Sequence, residues 1–361
     1  MGLVSQVFDD DEIIRKLVGN SAVGHVRYST DGPSVIGNSQ PYSQKRLMAL
    51  SNNGNSPNPR KLKEYGDIRN INTGWENDTG LMGNALEYNL ERGASELDAV
   101  REIFPLIEGA ASVVFLSRNG RMVAFRDYHG VKPLSMGRIG DGVVFASETC
   151  AFDIIGAKFV RDIKPGEVVI ADDNGIYSEQ LAVPEPKMDA MEYLYVARPD
   201  SIIGGRLIYL VRERLGRELA QEAPADVDLV MGIPDSGTPS GEGFARELVL
   251  PYREGLIKNR YVARTFIEPT QEMRERGVRL KMNPMPFLLD GKRVAMTDDT
   301  IIRGTTTPTV AEIVRRAGAR EIHIRITAPP YTDEHGLGID TARKAELVAN
   351  RMSIEDMMRE W

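Results

Sequence analysis

The chain runs to 361 residues, which at about 150 residues per domain makes two domains. Its 45 basic and 52 acidic residues give a net charge of −7, against a nucleic-acid partner, and 42% hydrophobic residues provide for globular cores. One cysteine, Cys150, excludes an internal disulfide, a zinc cluster and an iron–sulfur cluster; with no run of about 18 apolar residues, the chain reads as cytoplasmic with no membrane partner.

Residues 1–11 carry neither the basic start nor the apolar stretch of a signal peptide. Apolar spacing predicts helices over 81–92 and 96–107. Residues 111–116, a turn at Asn119-Gly120 and residues 122–126 read as strand, turn, strand, and 142–146 and 166–171 read as further strands. The first part is therefore expected to be α+β with antiparallel sheets. Val183-Pro-Glu-Pro-Lys187 has the composition of an extended linker, which places the boundary near 185 and gives domains 1–185 and 186–361.

The second part alternates. Leu207, Val211, Leu215 and Leu219 recur every four residues as a helical stripe. A strand over 227–233, a helix over 240–248, a strand over 293–297, a helix over 309–317 and a strand over 321–326 follow. That order predicts an α/β domain with a mostly parallel, doubly wound sheet. Ligands of such sheets bind beyond the carboxyl ends of the strands.

The richest of those ends is Val294-Ala-Met-Thr-Asp298-Asp299-Thr300-Ile-Ile-Arg303-Gly304-Thr305-Thr306-Thr307. A buried strand delivers two carboxylates, and a loop rich in glycine and threonine leads directly into a helix. Backbone N–H groups, hydroxyls and the helix N-terminus suit a phosphate. Asp298 and Asp299 would repel it, so they are expected to hold a cation, a ribose hydroxyl pair, or both. A second loop, Pro234-Asp235-Ser236-Gly237-Thr238-Pro239, offers free N–H groups for a pyrophosphate, with Ser236 in reach of a metal. Residues 255–281 are cationic without apolar period and read as a long mobile loop, a lid for a polyanion.

The stretch 294–307 resembles the 5-phosphoribosyl-1-pyrophosphate (PRPP) motif of type I phosphoribosyltransferases. The resemblance implies that Asp298 and Asp299 face ribose and magnesium, and that the loop carrying Thr300, Arg303, Gly304, Thr305 and Thr306 takes the 5-phosphate. Met191-Glu-Tyr-Leu-Tyr-Val-Ala-Arg-Pro-Asp-Ser201, Pro234-Asp-Ser-Gly237, Gly255-Leu-Ile-Lys-Asn-Arg-Tyr261 and Arg264-Thr-Phe-Ile267 extend the likeness. Together they resemble the amidophosphoribosyltransferase family through essentially the whole chain. This implies a glycosyltransferase of de novo purine biosynthesis that forms 5-phosphoribosylamine from PRPP. It further implies Mg2+ at Ser236, Asp298 and Asp299, PRPP contacts at Asp235, Gly237, Lys258 and Arg264, and a lid over 258–281. Purine nucleotides as candidate inhibitors and a homo-oligomer are implied as well.

The first part is similar to the family's class II glutamine amidotransferase domain, a glutaminase of the N-terminal-nucleophile kind. Gly24-His-Val-Arg27-Tyr-Ser-Thr30 resembles the strand whose arginine pairs with the glutamine α-carboxylate. Asn53-Gly54-Asn55 resembles the oxyanion-hole turn, and Asn53-Gly54 is also hairpin-turn composition. Arg126-Asp127-Tyr-His-Gly130 resembles the segment whose aspartate holds the α-amino group. Asn52 stands where the family usually has histidine. The family's nucleophile is an N-terminal cysteine; Met1–Phe8 here resembles a segment some way after it, and the likeness at the other end stops short of the family's C-terminus. The expectation is a partial glutaminase without its nucleophile, Cys150 being inert, and a phosphoribosyl site that works with ammonia rather than glutamine. A non-catalytic PRPP- or nucleotide-binding regulator of the same fold is the alternative.

Overall fold

The computed structural model describes residues 4–27, 39–71, 77–259, 280–334, 336–337 and 343–361. The chain divides into two compact units, Met1–Asp189 with His335–Asp340, and Ala190–Glu334 with Thr341–Trp361. Among the described residues no helix is long and apolar enough to cross a membrane.

The first unit holds two antiparallel sheets. Strands β1 (Met48–Asn55), β2 (Ala110–Ser117), β3 (Met122–Arg126), β7 (Glu167–Asp172) and β8 (Gly175–Gln180) form one, in the order β1-β2-β3-β7-β8. Strands β4 (Ser135–Ile139), β5 (Gly142–Ala146) and β6 (Lys158–Asp162) form the other, in the order β5-β4-β6. Period-two alternation gives the larger sheet two apolar faces. Val113, Phe115, Val123, Phe125 and Val168 pack with helices α1 (Arg60–Ile68), α2 (Asp78–Glu91) and α3 (Glu96–Ile103) through Leu62, Leu86 and Ile103. On the opposite face Ala124 and Val169 pack with Leu134, Met136 and Ile163 of the smaller sheet's side. Helix α3 ends at Ile103 rather than 107, where Pro105 allows only a 3-10 turn over Phe104–Leu106.

Two expectations in this unit are corrected. Asn53 and Gly54 lie inside β1, paired with Ser112 and Ala111, and form no turn. Strand pairing overrides the poor β preference of this Asn/Gly run. Residues 17–27 form no helix or strand, so Arg27 is not on a strand over 24–27, and 28–30 lie outside the described residues. The proline-rich stretch stays with the first unit: the N–H groups of Glu185, Lys187 and Asp189 donate to the carbonyls of Tyr128, His129 and Val131. A buried Lys132–Asp189 ion pair at 2.7 Å closes that attachment.

The second unit is built on three parallel strands, β9 (Leu229–Gly232), β12 (Arg293–Asp298) and β13 (Glu321–Ile326), in the order β9-β12-β13. Helix α5 (Ile208–Glu222) precedes β9, α6 (Gly237–Glu247) follows it, and α7 (Thr306–Arg316) joins β12 to β13. An antiparallel pair, β10 (Leu256–Lys258) with β11 (Met282–Pro284), flanks the stretch expected to be a lid; its residues 260–279 lie outside the described residues. The stripe on α5 is not the closest-packed face. Ile208, Arg212, Gly216 and Ala220 are buried while 211, 215 and 219 are half-buried. A Cβ on Gly216 would stand 1.9 Å from the Ser240 carbonyl oxygen, and one on Gly243 1.9 Å from that of Glu213. Glycines, not large apolar residues, set the approach of α5 and α6.

Candidate active site

Parallel pairing of β9 with β12 places Gly232 beside Thr297, so the chain after each strand emerges at the same end. The two loops are then locked together. Ile233 N–H donates to the Thr297 carbonyl at 2.9 Å, and the Thr297 hydroxyl donates to the Gly237 carbonyl at 3.1 Å. A Cβ on Gly237 would lie 2.4 Å from the Thr297 carbonyl oxygen, so only glycine lets α6 start this close to β12. The Ser236 hydroxyl reaches the Asp298 carboxylate. Ser236, Gly237, Asp298 and Asp299, chosen from separate stretches of sequence, are thus brought together. Thr297, which clamps them, was not among the chosen residues; its place at the end of the strand was the available signal.

Asp298 and Asp299 are 7% and 6% exposed. Asp299 N–H donates to Asp298 Oδ1 at 3.0 Å and the Thr300 hydroxyl donates to Asp299 Oδ2 at 2.8 Å. No lysine or arginine among the described residues forms an ion pair with either carboxylate. Burial, and then the neighbouring Asp299 charge, push the Asp298 carboxyl well above the usual carboxylate range. Two buried, uncompensated carboxylates with a serine hydroxyl are a donor set that fits a hard divalent cation, which binds through one or two carboxylates, substrate phosphates and retained waters. Among the described residues no group of three or more aspartate, glutamate, histidine or cysteine side chains is placed to hold a metal ion by itself, and that mode of binding requires none.

Beyond Asp299 the loop turns through Gly304, at φ +73°, into α7. Thr305 makes no side-chain cap bond to the helix, and a helix start without one suits an anion. The Arg303 side chain pairs with Glu346 at 3.2 Å. Lys258 pairs with Asp235 at the mouth of a cleft of about 480 Å³ lined also by Gly232, Thr238, Tyr252 and Asn259. Arg264 lies outside the described residues.

In the first unit, Asn53 Nδ2 donates to Ser147 Oγ at 3.3 Å. Gly54 is required by proximity, since a Cβ there would stand 2.1 Å from the Ala110 carbonyl oxygen. Asp127 is 2% exposed, and its carboxylate accepts from the N–H groups of Ala111 at 3.0 Å and His129 at 2.9 Å. It shapes the turn after β3 and is not open to solvent. Arg27 lies near His25, whose pKa is lowered by burial and then by the Arg27 charge. Asn52 is 3% exposed; its N–H donates to Gln40, while its Oδ1 has no hydrogen-bond partner among the described residues. Cys150 opens helix α4 (Cys150–Ile155), is 6% exposed, and has its Sγ 4.0 Å from the Glu148 carboxylate. His129 turns its Nδ1 to the Glu185 carbonyl at 2.8 Å.

A family model described as a glutamine amidotransferase domain matches residues 25–153. Over 99% of its length the chain is 45% identical to an amidophosphoribosyltransferase of Synechococcus elongatus, covering 74% of that protein. It is 39% identical to the amidophosphoribosyltransferase of Bacillus subtilis over 99% of the chain and 76% of the relative. A solved structure described as the allosteric regulatory enzyme of purine biosynthesis superposes with a TM-score of 0.89 at 38% identity, covering 99% of this chain and 77% of that one. The glutamine PRPP amidotransferase of B. subtilis, complexed with ADP and GMP, superposes at 0.83 and 38% identity over 93% of this chain and 73% of its own.

Proposed function

This chain belongs to the amidophosphoribosyltransferase family, phosphoribosyltransferases of purine biosynthesis, and we propose that its second unit forms 5-phosphoribosylamine from PRPP with ammonia as the incoming nucleophile. The observation that carries the reading is the meeting of Ser236, Asp298 and Asp299 where β9 and β12 end side by side, directly before the loop that opens α7.

In this reading the 5-phosphate lies in the loop 300–306, among backbone N–H groups and hydroxyls. The pyrophosphate lies against residues 234–237. Asp298 and Asp299 hold the ribose hydroxyls and stand near the positive charge that develops at C1 as the leaving group departs. The ammonia lone pair forms the C1–N bond. The C1–O bond to pyrophosphate breaks with its electron pair on oxygen, and the surplus proton on nitrogen passes to water. Ser236, Asp298 and Asp299 would hold Mg2+, which supplies neutralisation of the departing pyrophosphate. The complex of a similar enzyme with ADP and GMP supports purine nucleotides as ligands, and as candidate inhibitors, of this chain too.

In our reading Cys150 does not serve as a nucleophile for glutamine hydrolysis. Its thiol is buried beside a carboxylate, and His129, the histidine of the Asp127 turn, is engaged with a backbone carbonyl. The test is pyrophosphate release from PRPP, with ammonium chloride at alkaline pH and with glutamine at neutral pH, for the wild type and Cys150→Ser. Release with ammonia alone, unchanged in the variant, is expected. Glutamine-dependent release would overturn the glutamine half of the reading. Saturable PRPP binding without release from either donor would mark a regulator instead.

A further inference from the structure

The segment 343–361 lies against the phosphate loop. Leu347 and Val348, 0% and 2% exposed, anchor it. From that anchor Val348 N–H donates to the Ile302 carbonyl at 2.9 Å. The Arg351 guanidinium donates to the Arg303 carbonyl at 3.0 Å, and Glu346 accepts from Arg303 Nε at 3.2 Å. The Val348 side chain and the Trp361 ring close on Gly304, 3.0 and 3.1 Å from where a Cβ would stand. Trp361 is itself tied to α7, its carbonyl accepting from Arg315 at 2.9 Å.

Peptide planarity gives these contacts a consequence. In a trans peptide the carbonyl and the following N–H point in opposite directions. A pinned Ile302 carbonyl turns the Arg303 N–H away from the segment, and a pinned Arg303 carbonyl does the same to the Gly304 N–H. Gly304 is left-handed, at φ +73°, and successive N–H groups around such a residue form a concave anion site.

We propose that Arg351 and the Val348 backbone are positioning groups for substrate binding, which orient the N–H groups of Arg303 and Gly304 toward the 5-phosphate of PRPP. The inference rests on the reading of 300–306 as the 5-phosphate loop. Arg351 itself touches the loop from behind and acts on the phosphate only through the peptide planes. A lysine at that position keeps a donor for the Arg303 carbonyl; an alanine releases it.

The experiment is calorimetric titration of the full chain with ribose 5-phosphate and, separately, with magnesium pyrophosphate, for the wild type, Arg351→Ala and Arg351→Lys. Ribose 5-phosphate reports on the loop 300–306, and pyrophosphate on residues 234–237. Arg351→Ala is expected to weaken ribose 5-phosphate about five- to tenfold, the effect of one ordinary hydrogen bond. Pyrophosphate affinity should hold, and Arg351→Lys should recover most of the loss. Equal weakening of both ligands would mean a merely structural role and overturn the proposal, as would no weakening at all. A wild type that binds pyrophosphate but not ribose 5-phosphate would refute the 5-phosphate loop itself, and the proposal with it.

Discussion

Gly237→Ala tests whether contact between two loops, rather than the identity of their side chains, sets the geometry of the site. Gly237 is the first residue of α6 and its φ is not left-handed, so alanine brings no backbone strain. Its added Cβ would lie 2.4 Å from the Thr297 carbonyl oxygen and 3.2 Å from Asp298 Cα. A carbon and a carbonyl oxygen ordinarily come no closer than about 3.3 Å. Backbone faces backbone here, so no side chain can swing aside. The start of α6, with Ser236, must therefore move from the end of β12 by roughly 0.9 Å. A misplacement of about 1 Å costs on the order of 100-fold in a positioned reaction.

Stability should suffer much less than activity. Overpacking costs about 1–3 kcal/mol, and the helix preference of alanine over glycine returns up to about 1 kcal/mol. The net loss of about 0–3 kcal/mol would lower the melting temperature by at most about 12 °C in a unit of this size. The assay is initial-rate pyrophosphate release against PRPP concentration, with a thermal melt of the same preparation. A 10- to 100-fold fall in kcat/KM is expected, with the protein still folded at the assay temperature. Wild-type kcat and KM in a folded Gly237→Ala variant would refute the argument that this contact places Ser236.

Asp298→Asn should leave the melting temperature unchanged or higher, because it removes a buried carboxyl that faces Asp299, yet abolish magnesium-dependent turnover; unchanged PRPP affinity and rate, with and without EDTA, would show that the pair has been misread. Glu87 is fully buried on α2, and burial pushes its carboxyl up against the opposing pull of the Lys45 N–H and the Tyr42 hydroxyl. A raised folded pKa contributes stability that is complete below the ordinary carboxylate range and lost as pH rises through the folded value. Glu87→Gln should accordingly match the wild type in melting temperature near about pH 4 and exceed it at about pH 8. A variant less stable than wild type at the higher pH would reverse that sign.

Chemistry that is local in sequence was the part legible before the structure. Strand, paired carboxylates, a loop of glycine and threonine, and helix run without interruption through 293–316, and each step has its own composition. The loop at 234–237 was legible for the same reason, and the parallel order of the strands was enough to bring it to Asp298. Helix starts were read late: α6 begins at Gly237 rather than 240 and α7 at Thr306 rather than 309. Their first turns are glycine, serine, threonine and proline, which carry no apolar period. Strand β1 was missed because its Ser-Asn-Asn-Gly-Asn composition imitates a turn, and nothing local shows that Ala110–Ser117 will pair with it.

What escaped the sequence is the set of contacts that hold the legible pieces in place. Glu346 and Arg351 act on Arg303 across 43 and 48 residues, from short turns whose polar composition is that of any surface. A hydrophobic pattern is silent there, since the contact that matters is a guanidinium on a backbone carbonyl. The same holds for Gly216 and Gly243, whose contribution is an absent side chain that lets α5 and α6 approach. Apolar stripes register what fills space and cannot register what leaves it empty. In this fold the empty places decide the site, because α6 carries Ser236 at its start and can reach Asp298 only by lying close on both α5 and β12. A motif match therefore nominates the atoms for the chemistry. Their separation depends on glycines and carbonyl contacts that the motif does not contain.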